Sequence, residues 1–285
     1  MQVALAARRQ GLPVLVRGDS HGGVARRLLA VRLAHRVLLR LYAAFLVVGK
    51  RNRDFYVDYG IPPGRLFDCP HFVDNERFAH AADASRLRRE ELRTGWGVPE
   101  DAVCAVFAGK LQPLKNVDGL LAALDRARAS APRLHLLIVG EGSEGGRLRR
   151  LARERSLPVS WAGFLNQSEM PGAYAAADLL VLPSQSETWC LVVNEAMACG
   201  RPAIVSDLVG CGSDLIVEGE TGWRFPCGDV EALAAALAHA ASDPEQLERM
   251  GAAARARVLA DYSVDRAVAG TLAACDHVVR AKRDR

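Results

Sequence analysis

Asp178-Leu-Leu-Val-Leu-Pro-Ser-Gln-Ser-Glu-Thr-Trp-Cys-Leu-Val-Val-Asn-Glu-Ala-Met-Ala-Cys-Gly-Arg-Pro-Ala-Ile-Val-Ser206 reads as strand, polar turn, short helix and strand in immediate succession. The apolar run at Asp178-Leu-Leu-Val-Leu182 has strand length, and Ser184 to Thr188 is polar. From Leu191 to Met197 the chain is apolar on most helical faces, and Gly200 and Pro202 stop it, as a C′ glycine and a following proline do. Glu187 and Glu195, eight positions apart, flank the start of that helix. A helix N-terminus attracts anions through its N–H groups and its dipole. Carboxylates in such a place call for another ligand chemistry, such as hydroxyl groups to be held. Phosphate and polyol side by side describe a sugar nucleotide.

The same alternation extends outward from this unit. Val103-Cys-Ala-Val-Phe-Ala108 is a buried strand ending at Gly109, and Asn116 is expected to cap a helix running to about Ser130. Leu134-His-Leu-Leu-Ile-Val139 is a second strand ending at Gly140-Glu-Gly142, followed by a helix with Arg147, Leu148 and Leu151. Val159-Ser-Trp-Ala162 is a third, and Ser168 is the expected N-cap of a helix to Ala176. From about Asp229 the chain reads as helical to its end. Strands alternating with helices predict a parallel sheet covered on both faces, with ligands at the carboxyl ends of the strands. Lys110, Gly142, Phe164 and Glu187 each fall just after a strand, which places them on one rim.

Before residue 100 the pattern is sparser. Pro13-Val-Leu-Val-Arg17 and Ala44-Phe-Leu-Val-Val-Gly49 read as buried strands, Leu66-Phe-Asp-Cys69 as a third, with a Leu- and Arg-rich helix between the first two. Val3 to Gln10 looks like the tail of a helix already under way, and so few strands would leave an apolar sheet edge. The expectation is that the polypeptide begins inside a domain: a partial acceptor-side domain over 1–75, a connection over 76–100, a complete nucleotide-binding domain over 101–262, and a helix over 263–285 that packs back on the first domain. The fold class expected is thus α/β, with two Rossmann-like domains, the C-terminal one complete and the N-terminal one partial.

Composition narrows the function classes. The 285 residues are half apolar and a quarter charged, with a net charge of +4. Lys and Arg are spread out rather than gathered in a tract, which argues against nucleic-acid binding. The seven cysteines form no C-x-x-C pair, and the reading is reduced, packed thiols in a reducing, cytoplasmic compartment. No zinc-ligand spacing and no secretory signal pattern occurs, and the apolar run Leu41 to Val48 is far too short to span a bilayer.

Lys110 and Lys115 lie in one rim loop, where two cations can bind a diphosphate and offset the charge developing as it leaves; two ordinary lysines of a solvated loop are the competing reading. Gly140-Glu-Gly142 is a weak G-x-G fragment that a plain strand-to-helix turn explains equally well. Gly163-Phe-Leu165 offers backbone groups and an apolar wall to a flat base, or is an ordinary packed turn. Glu195, inside a mostly buried helix, would cost several kcal/mol unpaired. Its partner is either ribose hydroxyls or a protein cation in an ion pair. Glu187 is placed to reach hydroxyls of a transferred sugar, or is a surface glutamate.

In combination, the second region resembles the nucleotide-binding domain of family 4 glycosyltransferases, enzymes of GT-B architecture. The matching stretches are Gly109-Lys-Leu-x-x-x-Lys115, Val139-Gly-Glu-Gly142, Trp161-Ala-Gly-Phe-Leu-Asn-Gln-Ser-Glu169, Ala177-Asp-Leu-Leu-Val-Leu-Pro-Ser184, Glu187-x7-Glu195-Ala-Met-Ala-Cys-Gly-Arg-Pro202, Glu218-Gly-x-Thr-Gly222 and Gly228-Asp-Val-Glu-Ala-Leu233. Weaker similarity runs through Pro70-His-Phe-Val-Asp-Asn-Glu-Arg-Phe78, and Arg17-Gly-Asp-Ser-His21 looks like an acceptor-side loop. The resemblance implies retaining transfer of a sugar from a nucleotide-sugar donor to an acceptor hydroxyl, with no cofactor and no metal; no D-x-D site occurs. It implies that Lys110 and Lys115 hold the diphosphate, that Glu195 binds the ribose, and that Glu187 contacts the sugar. Backbone groups of Thr188, Trp189, Cys190 and Leu191 would meet sugar or phosphate, and Gly142, Phe164 and Leu165 the base. Lys115 and Glu187 are the residues it places closest to the chemistry, and Asp19 and His21 fall on the acceptor side. Where the family has arginine and glycines, this chain has Lys110, Thr188 and Cys190, which removes a bidentate fork and narrows the space near the sugar.

The expected partners are a nucleotide sugar and a glycan or lipid-linked acceptor of polysaccharide biosynthesis, with room for peripheral contact to the cytoplasmic membrane face. A glycosidase with Glu187 and Glu195 as acid and base fits poorly, since one lies in a turn and the other within a helix. A sugar-nucleotide epimerase of the same architecture is a further reading, whose motifs fit worse than those of the transferase. The rival of another class is a truncated, non-catalytic sugar-nucleotide-binding chain that needs a partner.

Overall fold

The computed structural model describes residues 2–20 and 29–283, grouped in two compact units. Met1–Phe72 and Asp261–Arg285 form one, Val73–Ala260 the other.

The first unit runs through α1 (Gln2–Arg9), β1 (Leu15–Gly18), α2 (Leu29–Leu39), β2 (Ala44–Val47), α3 (Lys50–Asp58) and β3 (Leu66–Asp68). Its strands are parallel in the order β1-β2-β3, with Leu15 opposite Ala44 and Phe45 opposite Leu66. Successive side chains of a strand point to opposite faces. On β2, Phe45 and Val47 therefore pack with Phe55, Tyr56 and Tyr59, whereas Ala44 and Leu46 pack with Ala267, Ala274 and Val278 of the last helix. That helix lies close to β3 because position 270 is glycine: a Cβ there would stand 1.6 Å from the Asp68 carbonyl oxygen.

The second unit opens with α4 (Asn75–Arg86) and α5 (Arg89–Trp96). It continues with β4 (Val103–Ala108), α6 (Val117–Ala127), β5 (Leu134–Val139), α7 (Gly145–Glu154), β6 (Val159–Gly163), α8 (Met170–Ala176) and β7 (Leu179–Leu182). Then come α9 (Leu191–Ala198), β8 (Ala203–Ser206), α10 (Gly212–Leu215), β9 (Gly222–Phe225), α11 (Val230–Ser242) and α12 (Pro244–Asp261); α13 (Val264–Arg283) returns to the first unit. The six strands are all parallel, in the order β6-β5-β4-β7-β8-β9. Strands β4, β5, β7 and β8 are buried along their whole length, as predominantly apolar runs require, with His135 and Ser206 the polar residues among them. Both units are thus Rossmann-like α/β layers. No helix of the described residues is long and apolar enough to cross a membrane.

Four local expectations need correction. Asn116 precedes α6 in a left-handed conformation (φ 53°) without a side-chain cap; its amide donates to the Pro183 carbonyl instead, at 3.3 Å. Helix α6 itself stops at Ala127. Ser168 is not the N-cap before α8. Asn166 Oδ1 accepts from the N–H groups of Ser168 and Glu169, while Glu169 Oε2 accepts from Asn166 N–H, the reciprocal pattern of a capping box. Asp178 lies just outside β7, and its carboxylate takes up Arg89, Arg93 and the Cys104 N–H at 2.6, 2.9 and 2.8 Å. Strand β9 was not expected: Gly222-Trp-Arg-Phe225 is short, with two of its four residues not buried, as an edge strand allows.

Candidate functional site

The chain builds β4, β5 and β6 outward on one side, then returns to place β7, β8 and β9 on the other. Strand order reverses between β4 and β7, and in open α/β sheets ligands bind in the crevice at that switch point, beyond the carboxyl ends. Lys115 follows β4, and Glu187 follows β7. Their loops are tied across the crevice: Gln185 N–H donates to the Leu114 carbonyl at 2.8 Å, and the Asn116 amide donates to Pro183 as above. A third loop clamps the second. Glu187 N–H donates to the Leu208 carbonyl, and Gly210 N–H returns a bond to the Glu187 carbonyl. Glycine is required at 210, since a Cβ would lie 1.9 Å from the Thr188 carbonyl oxygen.

The crevice brings Lys115 and Glu187 together as an ion pair, Nζ to Oε1, with both side chains more than four-fifths buried. The sequence placed these groups on one rim as separate ligands for diphosphate and sugar. The structure shows that each is also the other's electrostatic neighbour. Glu195 projects from the second turn of α9 and has a different companion. The Tyr174 hydroxyl, on α8, donates to Glu195 Oε2 at 2.8 Å. Burial raises the Glu195 carboxyl above its usual range, and the Tyr174 hydrogen bond holds it down in part. Tyr174 itself is fully buried and its own pKa is raised well above normal, first by burial and then by the Glu195 charge, so its hydroxyl stays a donor. A buried tyrosine hydroxyl needs an acceptor. That need was the one signal in Ala173-Tyr-Ala175 that could have marked Tyr174 as a site residue.

The remaining candidates surround these pairs. Lys110 is exposed in the loop after β4. That loop lies against the loop after β5: Leu111 N–H donates to the Glu141 carbonyl, and Glu144 N–H to the Leu111 carbonyl. Gly140 and Gly142 allow the contact, because a Cβ on either would stand 2.0 or 2.3 Å from the carbonyl oxygen of Gly109 or Leu111. Phe164, directly after β6, is 71% exposed, and Leu165 is half-buried beside it. Thr188 is exposed, and Trp189 is buried, its indole N–H donating to Asn194 Oδ1 at 2.8 Å. Cys190 stands at the N-cap of α9 with φ 90°, a conformation that favours glycine. Its thiol is pushed up to about 12 by burial and stays protonated. Leu191 opens α9, part-exposed.

In the first unit, Asp19 follows β1 and is half-buried; His21 lies outside the described residues. Around Asp19 the carboxyl edge of this sheet gathers further polar groups, among them Asn52, which the sequence had not singled out. Asn52 donates to the Ser20 carbonyl at 2.7 Å, and Arg17 approaches the Pro70 carbonyl and His71 Nδ1 at 3.3 and 3.4 Å. Burial and Arg17 lower the His71 pKa, and Asp19 opposes them.

The family model described as glycosyl transferases group 1 matches residues 88–257. The chain belongs to this family. It is 33% identical over 263 residues to a GDP-mannose-dependent alpha-mannosyltransferase of Mycobacterium tuberculosis (strain CDC 1551 / Oshkosh), covering 89% of the chain and 64% of that protein. It is 31% identical over 268 residues to D-inositol 3-phosphate glycosyltransferase 2 of Catenulispora acidiphila, covering 87% of the chain and 61% of that protein. The chain thus spans less than two thirds of the length of these curated relatives. Among solved structures, Anabaena HepE in complex with UDP superposes with a TM-score of 0.77 at 18% identity, over 99% of this chain and 75% of HepE. The fold is GT-B-like, with two Rossmann-like units.

Proposed function

We propose that this chain binds a nucleotide sugar at the switch point of its six-stranded sheet and acts in retaining transfer of the sugar to an acceptor hydroxyl. The observation that carries the proposal is the crevice between β4 and β7. It holds a lysine–glutamate pair and a second carboxylate poised by a tyrosine, beside the start of α9. Lys110 and Lys115 would take the diphosphate. Lys115 would exchange its contact with Glu187 for phosphate oxygens, freeing Glu187 for sugar hydroxyls. Fixed cations aimed at the leaving group supply preorganised stabilisation of the kind that dominates many enzymes, and we assign this charge to the lysines rather than to a metal. Glu195 would accept hydrogen bonds from ribose hydroxyls through its ionised form. Phe164 would stack on the base, with Leu165 and Gly142 along its edge. The backbone from Thr188 to Leu191 would face the sugar and phosphate.

The mannosyl and inositol-phosphate activities in the relatives' names support a role in glycan assembly. Asp19 is our candidate for the acceptor side, with His21 beside it in sequence. A lipid-linked acceptor would bring the protein to the cytoplasmic face of a membrane. An acid–base glycosidase couple finds less support, because Glu187 is engaged by a lysine and Glu195 by a tyrosine.

The test is calorimetric titration of the chain with UDP and with GDP. One of the two is expected to bind, and Lys115→Ala and Glu195→Ala are each expected to weaken it about tenfold or more, the loss of one charged contact. Unchanged affinity in both variants would remove the assignment of this crevice.

A further inference from the structure

A second cavity of the same unit, of about 450 Å³, is lined by Arg86, Arg89, Arg201 and Arg255, with Asp178 and Glu248. It opens at the amino ends of β7 and β8, since Asp178 precedes one strand and Arg201 the other. The proposed nucleotide-sugar crevice lies beyond the opposite, carboxyl ends. We propose that this cavity is a separate binding site for a phosphate-bearing small molecule.

The arginines have structural duties, and these do not neutralise them. Arg201 is 7% exposed, and its Nε and Nη2 donate to the carbonyls of Tyr174 and Ala175 at 2.9 and 3.2 Å. Arg86 donates to the Cys199 carbonyl at 3.3 Å. Neither forms an ion pair with a carboxylate among the described residues. Arg89 and Arg93 share the single charge of Asp178, and Arg255 is paired with Asp83 at 2.8 Å. Four guanidiniums therefore line the cavity against two carboxylates, Asp178 and Glu248, an excess of two positive charges; Arg93, which shares Asp178, and Asp83, which pairs with Arg255, lie behind the lining and offset each other. Guanidinium pKa values record the crowding: Arg201 is lowered to about 10, first by burial and then by Arg89 and Arg86. A phosphomonoester dianion matches the excess in charge, and guanidinium forks match its oxygens in geometry. The volume is within the range of small-molecule sites.

Gly200 keeps room beside Arg86, because a Cβ there would stand 2.8 Å from Nη2. The cavity also touches the other site through one residue. Arg201 holds the Tyr174 carbonyl, and the Tyr174 hydroxyl holds Glu195. The proposal does not depend on what the carboxyl-end crevice binds.

The test is calorimetric titration of the chain with inorganic phosphate at pH 8, against chloride at equal ionic strength. Arg86 and Glu248 are exposed, so replacing them leaves the core intact. Saturable phosphate binding is expected, about tenfold weaker in Arg86→Gln and about threefold tighter in Glu248→Gln, which removes the opposing charge. Lys115→Ala is expected to leave it unchanged. Two results overturn the proposal. One is no saturable binding beyond the chloride control. The other is binding that Lys115→Ala abolishes while Arg86→Gln and Glu248→Gln leave it untouched, which would move the phosphate to the opposite rim.

Discussion

At the amino ends of the six-stranded sheet, the cations that hold the core together meet acceptors belonging to the fold. Arg93 donates to the carbonyls of Ala176, Glu100 and Ala102 and to Asp178, whose other oxygen takes Arg89. At the carboxyl ends the same kinds of group are thinly engaged. Lys115 and Glu187 hold each other from two loops, Glu195 has one hydroxyl donor, and Lys110 and Phe164 stand in solvent. A carboxylate with several fixed donors has little to offer a ligand, whereas one held by a single hydroxyl keeps acceptor capacity for it. The contrast separates the Asp178–Arg93 cluster, which fixes the fold, from the carboxyl-end crevice, whose groups are left open to bind.

The sharpest way to break that contrast is Asp178→Ala. It strands the buried Arg93 guanidinium, 4% exposed, and a loss of about 3–5 kcal/mol in urea unfolding is expected, the usual cost of removing one partner of a buried pair. Nucleotide affinity of the protein that remains folded should be unchanged. Lys115→Ala should reverse the pattern, with unfolding free energy lowered by about 1 kcal/mol and nucleoside diphosphate affinity lowered by more, about tenfold to a hundredfold. Equal losses of stability and affinity in both variants would erase the distinction between the ends.

A smaller effect comes from His135 on β5, which sets the pH dependence of the structural side. Ser160 Oγ donates its proton to the Gly97 carbonyl at 3.0 Å, so it accepts from His135 Nε2–H at 2.9 Å. Burial, followed by Arg93, holds its pKa down to about 4, below the ordinary 6.5. As pH falls through 6.5 the unfolded chain takes up the proton first, so this contribution is complete above 6.5 and is lost progressively toward pH 4. His135→Gln should keep the donor to Ser160 and flatten the slope, narrowing the stability difference between pH 7 and pH 4.5 by about 2 kcal/mol. Parallel urea midpoints for the two proteins check this.

How much of this was legible in the sequence differs between the two ends and follows from range. Strands β4, β5 and β8 coincide with mainly apolar runs because burial on both faces leaves room for few polar side chains, here His135 and Ser206. The positions of Lys110, Lys115 and Glu187 just after strands were legible for the same reason. Strand β9 was not, since an edge strand with Trp223 and Arg224 carries no such run. Nor was the pairing of Lys115 with Glu187, 72 residues apart, because it depends on β4 and β7 being neighbours. The three groups around Asp178 come from α5 and β4, 74 to 89 residues away, and spacing along the chain gives no hint of them. Asn166 lost to Ser168 as the expected cap because both are good caps, and only the side-chain bond to Glu169 decides between them.

The smallest expected effect is the most informative about the open end. Tyr174→Phe removes only a hydroxyl and leaves a fully buried ring in place, so a loss of about 1 kcal/mol in stability is expected. Burial raises the Glu195 carboxyl, and the Tyr174 hydrogen bond opposes that rise, so removing the bond raises the pKa further. If binding uses the ionised carboxylate to accept ribose hydroxyls, affinity falls as pH drops through the Glu195 pKa. The variant should therefore bind UDP or GDP about threefold to fivefold more weakly at neutral pH, and its acid limb should move to higher pH. Glu195→Gln should bind weakly at every pH and show no such limb. A Tyr174 that merely fills space would lower affinity and leave the limb where it is in the wild type. Titrations between pH 5 and pH 8 thus separate a residue that sets the charge of Glu195 from one that only supports it.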